Sequence, residues 1–273
     1  MKKIYGVIGD PIEHSLSPIM HNAAFRQLGM ECEYHAFRVT LENVASAILG
    51  AKALGFGGLN VTIPLKEMVL DVVDADPLAK KIGAVNTIDF KDGIIGYNTD
   101  GVGAKHALEK HGIDVADKRV LLLGSGGAAR AIAFQLAKDG ATLIIANRTV
   151  PRAAKLAQEV RSIGDAIGTG LDELAMLIKK VDILVNSTSV GMRPRMDETL
   201  VTADLMHPSL VVFDIVYNPI ETRLLREAKK AGAPTVDGVD MLVHQGAESF
   251  KIWMGRDAPI DVMEAAVRCA LKC

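Results

Sequence analysis

One lysine of this 273-residue chain stands where a lysine can move a proton. The run Gly58-Leu59-Asn60-Val61-Thr62-Ile63-Pro64-Leu65-Lys66 reads as a buried strand stopped by Pro64, with Lys66 just past its carboxyl end. Ligands of open α/β sheets bind outside the carboxyl ends of parallel strands, so Lys66 is a candidate acid/base. Gly83-Ala84-Val85-Asn86-Thr87 and Gly96-Tyr97-Asn98-Thr99-Asp100-Gly101 each set Asn or Asp among glycines. Taken singly, Asn86 and Asp100 are ordinary turn residues.

A second constellation has the chemistry of an anion site. Leu121-Leu122-Leu123-Gly124-Ser125-Gly126-Gly127-Ala128-Ala129-Arg130 follows an apolar strand and opens an Ala-rich helix, the context that a dinucleotide fingerprint needs. Gly124 would allow the tight turn, Gly126 would let the backbone approach a pyrophosphate, and Ala129 takes the small third position. Free N–H groups and the helix dipole would then face the anion. About 20 residues further on, an NAD binder commonly places Asp or Glu for the ribose hydroxyls. The stretch Ile145-Ala146-Asn147-Arg148-Thr149 holds neither. Arg148, Thr149 and Arg152 offer cations and a hydroxyl suited to a 2′-phosphate, so the expected cofactor is NADP. His14 and His21 have no Asp, Glu or Cys at metal-ligand spacing and no Gly-x-Ser-x-Gly elbow for company, and are assigned to packing or surface.

Elements that would position these residues alternate along nearly the whole chain. In the first third, 4–8, 34–39 and 59–63 read as strands. Between them lie a helix over 18–28, with Ser17 as N-cap and Pro18 at N1, and another over 43–54. A Gly-containing hairpin signal surrounds Lys91-Asp92-Gly93. A second set has strands at 119–123, 142–146, 182–186 and 210–215, and helices at 127–138, 151–163 and 221–231. Two tail helices follow, over 239–253 and 261–271. The expected fold is α/β in two domains. A substrate-binding catalytic domain with a mostly parallel sheet covers 1–104, and a doubly wound, Rossmann-type NADP domain covers 105–238. Helices over 239–273 are expected to pack back on the first domain. The crevice between the domains is the expected ligand site, with glycines near 101–103 and Gly238 as hinges.

Composition agrees with that plan and excludes others. The chain is 49% hydrophobic with only 4% aromatics, and its mean hydropathy is +0.22. Parallel strands, buried on both faces, read as such Val/Ile/Leu runs. No window approaches a membrane span. Met1-Lys2-Lys3 and the apolar residues 4–8 loosely imitate a leader, but Gly9-Asp10-Pro11 ends the run too soon. The formal net charge is −2 with scattered Lys and Arg, which argues against nucleic-acid and membrane-surface partners. Cys32, Cys269 and Cys273 make neither a disulfide frame nor a zinc set. Cys269 and Cys273 fall at i, i+4 and are expected to be reduced thiols in a cytoplasmic protein.

Along nearly its whole length the chain resembles the shikimate dehydrogenase family. The matching stretches include Ser15-Leu16-Ser17-Pro18, Asn60 to Lys66, Gly83 to Thr87 and Asn98-Thr99-Asp100-Gly101. In the second half they are Gly124 to Ala128, Asn147-Arg148-Thr149, Asn186 to Met192, Asp214-Ile215-Val216-Tyr217 and Gly238 to Gln245. Two departures are Ser125, where Ala is usual, and Asp240, where Gly is usual. The resemblance implies that Lys66 is the acid/base and that Asp100 pairs with it. It implies that Ser15, Ser17 and Tyr217 hold the substrate carboxylate, while Thr62, Asn86 and Gln245 bind ring hydroxyls with Asn60 behind them. Gly124, Ser125, Gly126, Gly127, Ala128, Asn147, Arg148, Thr149, Arg152, Thr188, Ile215, Gly238 and Met241 are the implied NADP residues. The implied reaction is reversible reduction of 3-dehydroshikimate to shikimate by a monomer or homodimer, with no metal. A quinate/shikimate dehydrogenase of broader substrate or cofactor use is the alternative.

Overall fold

The computed structural model describes residues 2–272. Cys273, and with it the Cys269/Cys273 pair, lies outside the described residues. Along the chain come β1 (Lys3–Gly9), α1 (Ser17–Gln27), β2 (Cys32–Arg38), α2 (Val44–Ala53), β3 (Gly58–Val61), β4 (Asp74–Ala75), α3 (Pro77–Ile82), β5 (Thr87–Asp89), β6 (Ile95–Tyr97) and α4 (Asp100–Lys110). Then follow β7 (Arg119–Leu123), α5 (Gly127–Lys138), β8 (Thr142–Ala146), α6 (Val150–Val160), β9 (Ala166–Thr169), α7 (Leu174–Leu177), β10 (Ile183–Asn186), β11 (Val211–Asp214), α8 (Arg223–Lys230), β12 (Thr235–Val236), α9 (Gly238–Met254) and α10 (Ile260–Ala270).

These elements form two compact units. Unit 1 runs to Gly103 and resumes at Val243, and unit 2 covers Ala104–Leu242. The chain thus leaves unit 1 within α4 and returns to it within α9. Unit 1 is built on a six-stranded sheet in the order β2-β1-β3-β5-β6-β4. Pairings β1–β2, β1–β3 and β4–β6 are parallel, and β5 runs antiparallel to both β3 and β6. The β5–β6 pair is the hairpin signalled by Lys91-Asp92-Gly93, with Thr87 opposite Tyr97. Apolar side chains of β1, α2, β3, β5 and the segment leading to Lys66, among them Ile8, Ile48, Val61, Leu65 and Ile88, form its core.

Unit 2 has a fully parallel six-stranded sheet in the order β12-β11-β10-β7-β8-β9. The order reverses between β7 and β10, which makes the carboxyl ends of these two strands the topological switch point where doubly wound sheets bind ligands. Val120 to Leu123 in β7 are fully buried, as a strand covered on both faces requires.

Three features differ from the sequence reading. Ser17 does not cap α1: it is the first residue of the helix, the cap position is Leu16, whose side chain makes no capping bond, and Ser17 is itself buried. Its hydroxyl bonds the Tyr34 phenol. Gly101 and Gly103 lie inside a helix, α4, which their low helix propensity conceals. A Cβ on Gly103 would come within 2.7 Å of Gln245 Cβ, so this glycine admits close packing of α9 on α4. The strands β9 and β12 also escape the pattern, β12 because two residues show no period.

Candidate active site

Lys66 is carried by the turns that follow β3. Its backbone carbonyl accepts from Val85 N, which ties the lysine to the segment leading into β5. Asp100 is the first residue of α4, where the helix dipole favours a carboxylate. Its N–H donates to Asn98 Oδ1 (3.0 Å), and Asn98 Nδ2 donates to Ala84 O (2.9 Å). Two short segments, 84–86 and 98–100, are thereby locked side by side.

Between them, Lys66 Nζ donates to Asp100 Oδ2 at 2.5 Å. The lysine side chain is 15% exposed and the aspartate 4%. A carboxylate so withdrawn from water needs every partner it can find. The second is Asn86, whose Nδ2 donates to Asp100 Oδ1 (2.8 Å) and Thr99 Oγ1 (2.9 Å), with Gln245 Oε1 at 3.4 Å. Asn86 Oδ1 accepts from Thr99 N (2.8 Å) and Thr87 Oγ1 (3.0 Å). The sequence-predicted residues Lys66, Asn86, Asp100 and Gln245 therefore converge in unit 1 on one ammonium–carboxylate pair. A cation held on a carboxylate, partly open to solvent, is equipped to give or take a proton.

Asn60, in β3, stands behind this set. Its Nδ2 donates towards Ser249 Oγ (2.9 Å), Asn86 O (3.1 Å) and Thr87 Oγ1 (3.1 Å), and its Oδ1 accepts from Tyr34 OH (2.7 Å). The amide is fully committed inside the protein. Ser15 precedes α1 and is half-buried, its Oγ accepting from Ser17 N at 3.4 Å. Thr62, just beyond β3, is half-buried with its methyl against Gly9, where a Cβ would approach it to 2.5 Å. Tyr217 belongs to unit 2, beyond β11, and burial raises its phenol pKa.

Tyr34, Thr87, Thr99 and Ser249 complete the network and were not singled out by sequence. Thr87 and Thr99 sit beside Asn86 and Asp100, and Ser249 lies one helical turn beyond Gln245 on α9, spacings that are legible once the partners are known. Tyr34 gave no signal, because a tyrosine in a strand reads as core.

In unit 2, Gly124 and Gly126 are glycines for different reasons. Gly124 has φ +114°, and a Cβ there would lie 2.7 Å from Ser187 Oγ beyond β10. The fold itself requires this glycine. Gly126 stands before α5 with φ −83°, and a Cβ on it would meet nothing within 4 Å. Nothing in the chain forbids a side chain at Gly126. Ser125 is buried, Gly127 and Ala128 are half-buried, and no side chain caps α5. Arg148, Thr149 and Arg152 are exposed at the end of β8 and start of α6, and Asn147 Nδ2 donates to Thr149 O at 3.3 Å.

The remaining predicted residues of unit 2 are organised by Asp214. Its carboxylate accepts from Thr222 Oγ1 (2.6 Å), Asn186 Nδ2 (2.9 Å) and Val216 N (3.1 Å), yet complete burial pushes its pKa up to about 6. Thr188 Oγ1 donates to Asn186 Oδ1 (2.7 Å). Gly238 is needed because a Cβ would strike Ile215 O at 2.5 Å, and Met241 is buried in α9. Asp240, the unusual residue of its block, is also buried and pairs with His111 Nε2 (2.7 Å) and Lys110 Nζ (2.8 Å).

Family models match in three consecutive pieces: shikimate dehydrogenase substrate binding domain over residues 7–88, shikimate / quinate 5-dehydrogenase over 105–240, and shikimate 5′-dehydrogenase C-terminal domain over 238–268. A shikimate dehydrogenase (NADP(+)) of Methanococcoides burtonii is 61% identical over 267 residues, 98% of either chain. The chain belongs to the shikimate dehydrogenase family. Solved shikimate dehydrogenases share its fold. One in complex with NADP+ is 48% identical with a TM-score of 0.93, over 99% of this chain and 96% of that one. The Thermus thermophilus enzyme in complex with NADP(H) and shikimate is 38% identical with a TM-score of 0.90, over 98% of this chain and 100% of that one. Among the described residues no helix is long and apolar enough to cross a membrane.

Proposed function

We propose that this chain is an NADP-dependent oxidoreductase that interconverts shikimate and 3-dehydroshikimate, a step in chorismate and aromatic amino-acid biosynthesis. The observation that carries the reading is the Lys66–Asp100–Asn86 set, found in a chain 61% identical to a shikimate dehydrogenase (NADP(+)). The cofactor fits the residues present. Open space at Gly126 and an uncapped α5 suit a pyrophosphate, and the exposed cations Arg148 and Arg152 with Thr149 suit a 2′-phosphate. Asn147, Thr188, Ile215, Gly238 and Met241 line the rest of its path. Bound there, NADP supplies or accepts the hydride.

Hydride delivered to a ketone carbon leaves an oxygen that needs a proton. Lys66 donates it, and Asp100 holds the ammonium in position and lowers the cost of its charge. In the oxidative direction Lys66 takes the hydroxyl proton. Ser15, Ser17 and Tyr217 bind the substrate carboxylate, and Thr62, Asn86 and Gln245 bind ring hydroxyls. A cytoplasmic location and a monomeric or homodimeric state complete the proposal.

The test is turnover of shikimate and of quinate with NADP+, followed by the absorbance of reduced nicotinamide. Shikimate is expected to react with a kcat/KM about tenfold to a hundredfold above quinate, the range a pocket achieves against one added hydroxyl. Absence of reaction with shikimate would overturn the proposal, and parity with quinate would replace it with the broader alternative.

A further inference from the structure

Tyr34, in β2, is fixed more thoroughly than a core tyrosine requires. Its N–H donates to Asn22 Oδ1 (2.9 Å), and its carbonyl accepts from Asn22 Nδ2 (2.8 Å). Its ring stacks on His21 with centroids 4.4 Å apart and planes 11° from parallel. Trp253 packs against both rings. Both nitrogens of the buried His21 lack a hydrogen-bond partner, so the imidazole serves here as a flat neutral face. All of this holds one hydroxyl against Asn60.

That hydroxyl has one consequence for the reaction. A buried phenol stays protonated, and as a donor it dictates that Asn60 presents Oδ1 to it (2.7 Å). The amide nitrogen must then face Ser249, Asn86 O and Thr87. Thr87 Oγ1 in turn donates to Asn86 Oδ1 (3.0 Å), which leaves Asn86 Nδ2 directed at Asp100 Oδ1 (2.8 Å). Asp100 Oδ2 receives Lys66. The Tyr34 donor thus fixes the Asn60 amide, and through Thr87 it reinforces an Asn86 orientation that the Thr99 N–H (2.8 Å) also supports, in series with the carboxylate. On the other side the Ser17 hydroxyl faces the same phenol and partly offsets the burial that drives its pKa well up.

We infer that Tyr34 is a positioning residue for the Lys66–Asp100 pair, acting through the fixed amides of Asn60 and Asn86. The inference rests on the proposed reaction. Tyr34→Phe keeps the ring and the stack while leaving Asn60 Oδ1 buried without its donor. Such a loss converts to turnover only if the relay sets the geometry of the reacting pair.

The experiment is steady-state turnover of shikimate and NADP+ by wild type, Tyr34→Phe and Ser249→Ala, with thermal unfolding of each. Phe25→Leu, in the same aromatic cluster through Tyr5 and Phe250, serves as the packing control. Tyr34→Phe is expected to lower kcat about tenfold, the scale of one hydrogen bond expressed at the transition state. The KM values for NADP+ and shikimate should stay within about twofold, and Phe25→Leu should lower Tm without lowering kcat. Should Tyr34→Phe fail to fold, Ser249→Ala decides, with a kcat loss of about threefold to tenfold expected at unchanged KM. A folded Tyr34→Phe with wild-type kcat, or Ser249→Ala with wild-type kcat in that second case, overturns the inference. Absence of turnover by wild type would instead defeat the reaction on which it rests.

Discussion

In unit 1 the side chains of Asn86, Asp100 and Lys66 are bonded to one another, and that of Asn60 to the Asn86 carbonyl, before any ligand arrives, whereas in unit 2 Arg148, Thr149 and Arg152 are exposed and Gly126 faces open space. The difference follows from the chemistry asked of each. A proton donor must hold its angle and charge through the reaction, so its partners belong to the protein. A phosphate site has to present unbonded donors, because its partners arrive with the cofactor. In the proposed reaction the assembled network is the reacting side, and the unfilled valence is the cofactor side.

Removing a member of the assembled side should have the largest effect. Lys66→Ala is expected to reduce kcat by about 10²- to 10⁴-fold, the range for a positioned general acid, in a protein that still unfolds cooperatively. Turnover within fivefold of wild type, roughly 1 kcal/mol, would mean that the pair at 2.5 Å is structural. On the open side, Arg148→Asp should remove most of the preference for NADP+ over NAD+. A charge-assisted contact to the 2′-phosphate is worth about 1.5–3 kcal/mol, or about 10- to 150-fold. The ratio of kcat/KM for the two cofactors at one ionic strength reads this, and a ratio unchanged by the substitution would place recognition elsewhere.

The two loop glycines sharpen the comparison within unit 2. Gly124→Ala meets Ser187 at φ +114° and should cost about 1–3 kcal/mol of stability. Gly126→Ala meets nothing at φ −83° and should leave Tm unchanged or slightly raised while weakening NADP+ binding. Thermal unfolding and a binding isotherm on both variants separate the two demands. Equal losses of stability would show that Gly126 also serves the fold.

Acid should move the two units in opposite directions. Burial pushes the His21 pKa down to about 3, so the folded imidazole stays neutral while the unfolded one charges below its ordinary 6.5. The unfolded state then binds more protons, and unit 1 loses stability as the pH falls from 6.5 towards 3. Burial pushes Asp214 up to about 6 from 3.8, so its folded form binds the extra proton. Unit 2 therefore gains stability as the pH falls from 6 towards 4. Between pH 7 and 5 the expected changes are a loss of about 2 kcal/mol in unit 1 and a gain of about 1 kcal/mol in unit 2. Amide hydrogen exchange resolves them separately in β1 and β7. His21→Phe should abolish the loss, and shifts of the same sign in both units would contradict the assignment.

What the sequence could tell differed between the units in the same way. The glycine loop, Arg148 and the strands β7, β8, β10 and β11 of unit 2 are local patterns, and a parallel sheet with regular crossovers repeats one signal, which only β9 and β12 escape. Unit 1 depends on contacts between distant segments. Lys66 was legible from its place after β3, but its bond to Asp100 joins residues 34 apart in sequence and came only with the family resemblance. Ser249 reaches Asn60 from 189 residues away, and Tyr34 looks like any buried strand aromatic. The start of α4 was hidden because Gly101 and Gly103 stand there against helix propensity, Gly103 for packing on α9. Ser17 reads as a cap by residue type before Pro18, but the helix starts one residue earlier, at Ser17 itself, with Leu16 at the cap.

The account's central claim is a division of labour, with proton transfer in unit 1 and cofactor binding in unit 2. Its most direct test is an NADP+ binding isotherm on Lys66→Ala, the variant expected to have lost turnover. The account predicts a dissociation constant within about twofold of wild type, below the roughly 0.5 kcal/mol at which a lost contact registers. A tenfold weakening of NADP+ binding alongside the lost turnover would show that Lys66 serves the cofactor, and would contradict the account.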